Sequence, residues 1–160
     1  MLFRSIIEYF GPGTETISCT GKATITNMGA ELGATTSVFP YDESMARYLR
    51  STRRGELADL ADQNREMFRA DQEVLDHPER HFDRVVEIDL SKLEPHLVGP
   101  HSPDRARPIS ELASQVKDPA NGFIDDISTA LIGSCTNSSY EDMSRSAHVA
   151  IRRAPCRERV

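Results

Sequence analysis

The chain has 160 residues, of which 38% are hydrophobic and 28% charged, and its formal net charge at pH 7 is −6. This balance is typical of a globular protein made of one ordinary domain or of parts of two smaller ones. The negative charge argues against a general nucleic-acid or membrane-surface binder, because such proteins need clustered positive charge. No apolar run is long enough to span a membrane.

The first half of the chain predicts one strand followed by helices. "SIIEYF", from Ser5, is the strand, and the turn "GPG" ends it. In "KATITNMGAELGATTSVFP" the apolar spacing predicts a compact helix that stops at Gly33. "YDESMARYLRSTRR" predicts a short helix, and "GELADLADQNREMFRADQEVL" predicts a longer one. The longer helix has an apolar face at three-to-four spacing, formed by Leu57, Leu60, Ala61, Asn64 and Phe68.

The second half predicts two strands and two helices. "FDRVVEIDL" (82–90) alternates enough to predict a strand, and the proline-rich stretch after it predicts a loop. "ISELASQV" predicts a short helix, and "KDPANG" predicts a polar turn. "ISTALIG" predicts a strand, and "SSYEDMSRSAHVAIRR" predicts a helix whose N-cap lies near Asn137 or Ser138.

Alternating strands and helices predict an α/β fold with mainly parallel sheets flanked by helices. We expect residues 1–80 to be part of one α/β domain that ends in helices. Residues 81–160 would then begin a second α/β domain, with an atypical C-terminal tail from about residue 151. Neither end of the chain resembles a finished domain edge, so we expect the chain to be a segment of a larger protein.

The three cysteines, Cys19, Cys135 and Cys156, lie far apart and form no CxxC pair. An odd number of cysteines without a secretory signal predicts free thiols in a reducing compartment, so we do not expect a secreted protein. A self-contained zinc site is not expected either. Cys19, in "SCTG", is interpreted as structural and partly buried, and Cys156 as an exposed residue of a basic tail.

Cys135 lies in "IGSCTNSSYEDM", a polar turn between a predicted strand and a predicted helix. This layout places it at the C-terminal edge of a parallel sheet, where open α/β sheets bind ligands. The helix N-terminus favours a thiolate, and the hydroxyls and amide that follow can donate hydrogen bonds to sulfur. A nucleophile would need a histidine partner, but His148 lies further along the same helix and would point away. Metal ligation therefore fits best.

The segment around Cys135 resembles the first iron–sulfur signature of the aconitase superfamily. Nine constrained positions agree in register, namely Ile127, Ala130, Ile132, Gly133, Ser134, Cys135, Thr136, Asn137 and Met143. "IEYFGPGTETISCTGKATITNMGAELGATTSVFPYDE" resembles a second block, typical of the aconitate hydratases. The resemblance continues through "FDRVVEIDLSKLEPHLVGPHSPD" and covers roughly Ser5 to Ala147.

The resemblance implies a hydro-lyase that converts citrate to isocitrate through cis-aconitate in the tricarboxylic acid cycle. Members of the family hold a [4Fe–4S] cluster by three cysteines, and the open iron acts as a Lewis acid on the tricarboxylate substrate. Cys135 matches the first cluster cysteine, and Asn27 and Glu31 match a family pair near the cluster. Their spacing of four also places Asn27 and Glu31 on one face of the predicted helix. Asn27 would hydrogen-bond a cluster sulfide or thiolate, and Glu31 would assist proton transfer as the catalytic residue.

The chain also departs from the family pattern. It lacks the later CxxC pair, the earlier aspartate–serine–histidine region, the substrate-binding arginines and the catalytic serine. One cysteine cannot hold a four-iron cluster stably. We therefore expect the chain to be inactive alone and to need the missing remainder of the enzyme as its partner.

Two alternative functions remain open from the sequence. One is the same chemistry on a longer substrate, as in the isopropylmalate and homoaconitate dehydratases. The other is a non-catalytic RNA-binding or regulatory module, against which the acidic charge and the 6% aromatic content argue. Enzymes of this type occur in the bacterial cytoplasm and in the mitochondrial matrix, and both locations remain possible.

Overall fold

In this computed structural model, residues 4–123 and 126–153 are described. The chain divides into two compact units, one formed by Met1–Val85 with Ile132–Val160 and the other by Val86–Leu131. The α/β class is confirmed, since helices alternate with short parallel and antiparallel strands. The division into domains at residues 80 and 81 stays a prediction. Cys156 and most of the predicted tail lie outside the described residues.

Short helices and strands account for the regular structure of the described residues. In chain order they are β1 (Ser5–Glu8), a 3-10 helix (Pro12–Thr16), α1 (Cys19–Asn27), β2 (Ala34–Val38), α2 (Glu43–Ser51), α3 (Gly55–Gln63), a 3-10 helix (Arg65–Phe68), α4 (Gln72–Asp76), α5 (Pro78–His81), β3 (His96–Val98), β4 (Ala106–Pro108), α6 (Ile109–Val116), a 3-10 helix (Pro119–Asn121) and α7 (Tyr140–Arg153). No helix in this part of the chain is long and apolar enough to cross a lipid bilayer.

Strands β1 and β2 form a parallel pair, with α1 in the connection between them. The register runs from Ser5 opposite Ala34 to Glu8 opposite Val38, with an irregularity after Ser5. Beyond the strands, the rings of Tyr9 and Phe39 stack with their centroids 4.3 Å apart. The predicted strand at Ser5 is confirmed, and the crossover fixes α1 next to this sheet.

Helix α1 differs from the helix predicted to stop at Gly33. It begins earlier because the Ser18 hydroxyl accepts a hydrogen bond from the N–H of Gly21 at 3.1 Å, which caps its N-terminus. It ends at Asn27, and a run of turns through Gly33 leads into β2. Gly29 lies in these turns so close to Ser37 that a Cβ atom would come within 2.5 Å of the serine Oγ. The lack of a side chain at Gly29 therefore allows the turn to pack closely against strand β2.

Helices α2 and α3 pack through small residues. Ala46 of α2 and Ala58 of α3 are fully buried, and Arg50 forms ion pairs with Asp59 and Asp62 at 3.1 and 2.6 Å. The predicted apolar face of the longer helix is not the packed one, since Leu57 and Leu60 are 54% and 57% exposed. Periodicity showed that the helix is amphipathic, but the close approach of the two helices required alanine at the contact.

The single long helix predicted from residue 55 is wrong, because α3 stops at Gln63 and shorter helical turns follow. The side-chain amide of Asn64 donates to the carbonyl of Leu60 at 2.9 Å. This bond satisfies one of the carbonyls that a helix end leaves without a partner. Asn64 therefore belongs to the end of α3 and not to a continuous apolar face.

The unit Val86–Leu131 contains an antiparallel ribbon that the proline-rich sequence did not predict. Strand β3 pairs with β4, His96 opposite Pro108 and Val98 opposite Ala106. The predicted helix "ISELASQV" is confirmed as α6. The Glu94 carboxylate accepts hydrogen bonds from the N–H and hydroxyl of Ser110, at 3.2 and 2.8 Å, in the first turn of that helix.

Two predicted strands are absent from the described residues. Residues 82–90 and 127–133 form no β-ladder. A strand needs a neighbouring strand that accepts and donates its backbone hydrogen bonds, and neither segment has one here. Their apolar side chains are correspondingly exposed, with Leu131 at 91%.

Candidate functional site

Residues 134–139 form a turn that we call the cysteine loop. The Ser134 hydroxyl accepts hydrogen bonds from the N–H groups of Thr136 and Asn137, at 3.3 and 3.2 Å. The Ser138 hydroxyl donates to the carbonyl of Ser134 at 2.6 Å and accepts from its N–H at 3.0 Å. Cys135 lies within this turn and is exposed. The serines thus hold the backbone around a thiol that remains accessible.

Gly133, directly before the cysteine loop, occupies a position that only glycine fits. Its φ angle is +125°, and a Cβ atom there would lie 2.8 Å from the Ser138 Oγ. Both the backbone angle and the lack of space disfavour a side chain. The small residue before "SCTN" therefore has a physical reason.

Helix α7 begins at Tyr140, directly after the cysteine loop. Its N-cap lies one residue beyond Ser138, the later of the two predicted positions. The Ser139 hydroxyl accepts from the N–H of Asp142 at 3.2 Å, and the Asp142 carboxylate accepts from the N–H of Ser139 at 3.2 Å. This reciprocal pair is a capping box, so Ser139 is the N-cap. Stabilisation of a Cys135 thiolate by the helix dipole stays a prediction.

Three side chains of α1 hydrogen-bond the cysteine loop and the first turn of α7. The contacts are Thr20 Oγ1 to Glu141 Oε2 at 2.5 Å, Thr24 Oγ1 to Asn137 Oδ1 at 2.8 Å, and Asn27 Nδ2 to Thr136 Oγ1 at 2.9 Å. These residues are more than a hundred positions apart in the chain and belong to the same compact unit. The fold therefore brings Asn27 to the loop of Cys135.

The Cys135 sulfur lies 3.8 Å from the Thr136 hydroxyl, which is the atom that accepts the bond from Asn27. Of the predicted donors to sulfur, Thr136 is the one that contacts it within the described residues. Asn137 bonds Thr24, Ser138 bonds Ser134, and Ser139 caps α7. A continuous chain of contacts thus joins the Asn27 amide to the thiol.

Glu31 lies in the turns after α1, so the prediction that it shares a helix face with Asn27 is wrong. The reason is the early end of the helix, which places Glu31 beyond the last helical residue. Its side chain is exposed, and no hydrogen bond or ion pair joins its carboxylate to another described residue. Glu31 is therefore accessible to a ligand, while its role as a proton donor or acceptor stays a prediction.

Charge at the site is concentrated on Glu141. The hydrogen bond from Thr20, followed by one from Ser18, lowers the pKa of this carboxyl below its ordinary value of 4.5. Arg145 pairs with the same carboxylate at 2.6 Å. Glu141 is therefore anionic at neutral pH and accepts the bond from α1.

Cys19 contrasts with Cys135 in burial. Cys19 is half-buried, as expected, and this burial raises the pKa of its thiol, against a smaller opposing effect of Lys22. A raised pKa disfavours the thiolate that binds metals or reacts with electrophiles. The environment of Cys19 fits a structural residue.

The donor chemistry around Cys135 fits one corner of an iron–sulfur cluster. It provides an exposed thiol, an adjacent hydroxyl and an amide that can donate hydrogen bonds to ligand sulfur. Among residues 4–123 and 126–153, no group of three or more His, Cys, Asp or Glu side chains could hold a metal ion. The described residues thus offer one candidate ligand and its neighbours.

Sequence reasoning missed Thr20, Thr24 and Glu141. The signal for the two threonines was the spacing 20, 24, 27, which places three polar side chains on one helix face. That signal becomes visible only when Ser18 is recognised as the N-cap, because the predicted helix started later.

Comparison with known proteins identifies the family of the chain. Residues 3–158 match the model of the aconitase family (aconitate hydratase). The mitochondrial aconitate hydratase of Schizosaccharomyces pombe is 52% identical over 145 residues, which are 91% of this chain and 17% of that protein. The enzyme of the same name from Gracilaria gracilis is 51% identical over 145 residues, 91% of this chain and 18% of that protein.

A relative named for another activity is equally similar. The mitochondrial homocitrate dehydratase of Saccharomyces cerevisiae is 52% identical over 143 residues, which are 88% of this chain and 17% of that protein. The chain thus spans less than a fifth of the length of these relatives. Since the family model covers nearly all of its residues, the chain belongs to the aconitase family.

Proposed function

We propose that this chain is the segment of an aconitate hydratase-type hydro-lyase that supplies the first cysteine ligand of its [4Fe–4S] cluster. The observation that carries the proposal is the exposed Cys135 thiol in a loop joined to Asn27, within a chain that matches the family from residue 3 to residue 158. Because the chain spans 17 to 18% of its relatives, the activity would belong to a longer protein. The remainder of that protein would supply the other ligands, and the isolated chain would be inactive.

When bound, the cluster would supply a Lewis-acidic iron that eases loss of a hydroxyl group from a tricarboxylate. Cys135 would hold one iron through its thiolate. Thr136 lies 3.8 Å from that sulfur, and Asn27 donates to Thr136 at 2.9 Å. These two side chains would orient the ligand and place hydrogen-bond donors beside it, as surrounding groups do at other metal sites.

Glu31 would hold or move a proton at its carboxylate. Its exposure and its lack of a partner among the described residues leave that carboxylate open to substrate or water. A free carboxylate in a water-excluding site of the complete enzyme could act as a general base. The support for this role is the family motif together with that accessibility.

Two substrates suit the same chemistry. The similarity to aconitate hydratases supports citrate and isocitrate as the substrates of this protein. The similarity to a homocitrate dehydratase supports homocitrate, which is one methylene longer. We propose citrate as the substrate because the block from Ile7 to Glu43 resembles the aconitate hydratases. We also propose the mitochondrial matrix as the location, since these relatives are named mitochondrial.

A chimeric enzyme tests the proposal. The chain would replace the matching segment of the S. pombe aconitate hydratase, and the purified chimera would be reconstituted anaerobically with iron and sulfide. We expect the visible absorbance of an iron–sulfur cluster and dehydration of citrate in preference to homocitrate. The Cys135→Ser variant should lose both the absorbance and the activity.

The control is Cys19→Ser, which changes the same residue in the same Ser-Cys-Thr context. This variant should keep the absorbance and the rate, since Cys19 is half-buried and is not a proposed ligand. A Cys135→Ser chimera with full colour and full rate would contradict the proposal. Preference for homocitrate would assign the chain to the second substrate.

A further inference from the structure

The cysteine loop has no regular structure on its N-terminal side. Residues 126–133 form neither helix nor strand. No strand pairing therefore fixes the backbone at Gly133, whose φ angle is +125°. On the C-terminal side the loop continues into α7 through the capping box of Ser139. Any further restraint on the direction of the Cys135 side chain must therefore come from another element.

Helix α1 provides that restraint along one face. Thr20, Thr24 and Asn27 are spaced by four and then three residues, so they occupy neighbouring positions on successive turns. Their partners are Glu141, Asn137 and Thr136, which follow the opposite order along the chain. Because the three bonds follow one another along both segments, they define both the position and the rotation of the loop against the helix.

The composition of α1 shows that it depends on such contacts. Its nine residues, CTGKATITN, include a glycine and four β-branched residues, which are poor helix formers. An isolated helix of this length is marginal in water even with better residues. Helix α1 therefore depends on tertiary contacts on both of its sides for its stability.

Lys22 holds the side of α1 that faces away from the cysteine loop. Its side chain is 2% exposed, pairs with the carboxylate of Asp42 and lies 3.4 Å from the Ser44 hydroxyl at the start of α2. Residues two apart on a helix do not face the same way, so Lys22 points away from Thr20 and Thr24. Helix α1 thus links the fixed end of α2 to the cysteine loop.

We propose that α1 is the template that positions the cysteine loop, and that Thr20 and Thr24 are positioning residues for the Cys135 thiol. Each hydroxyl fixes one point of the loop or of the α7 start, and Asn27 fixes Thr136 beside the sulfur. The use of this arrangement in ligand placement rests on the proposed function. The positioning itself is a property of the chain without any cluster.

Hydrogen exchange of the metal-free chain tests this proposal. The variant Thr24→Val removes the hydroxyl that contacts Asn137 and keeps the side-chain shape. We expect the amides of Ser134, Thr136 and Asn137 to exchange roughly fivefold faster, the factor that one typical net hydrogen bond corresponds to. Exchange in α2 and α3 should stay unchanged, and Thr24→Ser should restore slow exchange in the loop.

The matched control is Thr26→Val on the same helix. Among the described residues, the Thr26 hydroxyl bonds only carbonyls of its own helix, those of Lys22 and Ala23, at 3.1 and 3.0 Å. This variant tests helix stability without touching the loop, so the loop amides should exchange at the wild-type rate. Faster loop exchange in Thr26→Val equal to that in Thr24→Val would overturn the proposal.

A double-mutant cycle covers the case in which Thr24→Val unfolds α1. Asn137→Ala removes the same bond from the loop side and leaves the helix sequence intact. We expect faster loop exchange in this variant, and no further increase when Thr24→Val is added. Unchanged loop exchange in Asn137→Ala would overturn the proposal. The test uses no iron, so its outcome is independent of the fate of Cys135→Ser in the chimera.

Discussion

Residues 18–20 and residues 134–136 have the same sequence, Ser-Cys-Thr, and the same first local interaction. In each segment the serine hydroxyl accepts a hydrogen bond from the backbone N–H three residues later, at 3.1 Å in the first and 3.2 Å in the second. The two segments then diverge. The first continues directly into α1, whereas the second remains a turn until α7 begins at Tyr140.

The difference between the two thiols follows from what surrounds each segment. Cys19 is half-buried as the first residue of α1, and its pKa is raised by that burial. Cys135 is exposed because Gly133 and Ser138 fold the chain into a turn before the helix begins. The comparison teaches that a short motif sets a local hydrogen bond, while the flanking residues and the packing decide what its cysteine can do.

The largest expected effect concerns the helix that follows the first segment. Lys22→Met leaves the carboxylate of Asp42 without its buried partner, and we expect the free energy of unfolding to fall by about 3–5 kcal/mol. Chemical denaturation measures this value. The double variant Lys22→Met/Asp42→Asn removes the orphaned charge and should recover much of the loss, because asparagine can still cap α2. A loss below about 1 kcal/mol in the single variant would show that α1 needs no anchor on this side.

The two thiols should differ strongly in reactivity. In a Cys156→Ser background, we expect iodoacetamide at neutral pH to alkylate Cys135 at least about tenfold faster than Cys19, since burial both shields Cys19 and raises its pKa. Mass spectrometry of the two peptides against time gives both rates in one sample. Urea at a concentration that unfolds the chain should remove the difference. Equal rates in the folded chain would contradict the assigned environments.

The two serines offer a smaller and sharper test. Ser18→Ala removes the N-cap of α1, and we expect it to lower the free energy of unfolding by about 1 kcal/mol. Ser134→Ala changes a turn and no helix cap, so the loss should stay below about 0.5 kcal/mol. Denaturant titration of both variants gives the comparison. An equal loss in the two variants would mean that the segments are held in the same way.

The smallest expected effect is the pH dependence of the stability that the contact between Thr20 and Glu141 contributes. The pKa of Glu141 is lowered in the folded chain, chiefly by the bond from Thr20, so its stabilising contribution is present above its ordinary pKa of 4.5 and is lost as the pH falls through the lowered value. We expect the stability difference between the wild type and Glu141→Gln to be constant near pH 6 and to shrink towards pH 3. Urea unfolding across this range measures it. A difference that grows on acidification would reverse the assigned sign.

Local signals in the sequence predicted several elements correctly. The strand at Ser5, the short helix at Ile109 and the helix after the cysteine loop all follow from patterns within a few residues. The resemblance implied that Asn27 lies near the cluster; the structure joins Asn27 to the Cys135 loop through Thr136, and its role at a cluster stays a prediction. Such local patterns are reliable because capping and amphipathic spacing act over single turns.

Elements that depend on a distant partner were predicted less well. The segments 82–90 and 127–133 have strand-like sequences, but strands form only against a neighbour, and the described residues provide none. The ribbon of β3 and β4 was missed for the opposite reason. The prolines in this region argued against strands, but the two segments pair with each other in the structure. Leu57 and Leu60 share an apolar face, yet helix packing uses Ala58.

The sequence by itself determined the family, the α/β class, the identity of the exposed loop cysteine as the residue of interest, and the small residues that its turn requires. These follow from residue type and short spacing, which act before the chain has folded. Only the tertiary structure decided where α1 begins and ends, and that Thr20, Thr24 and Asn27 face the cysteine loop while Lys22 faces α2. The contacts of Thr20, Thr24 and Asn27 join residues more than a hundred positions apart, and their partners are chosen by the packing of the whole unit.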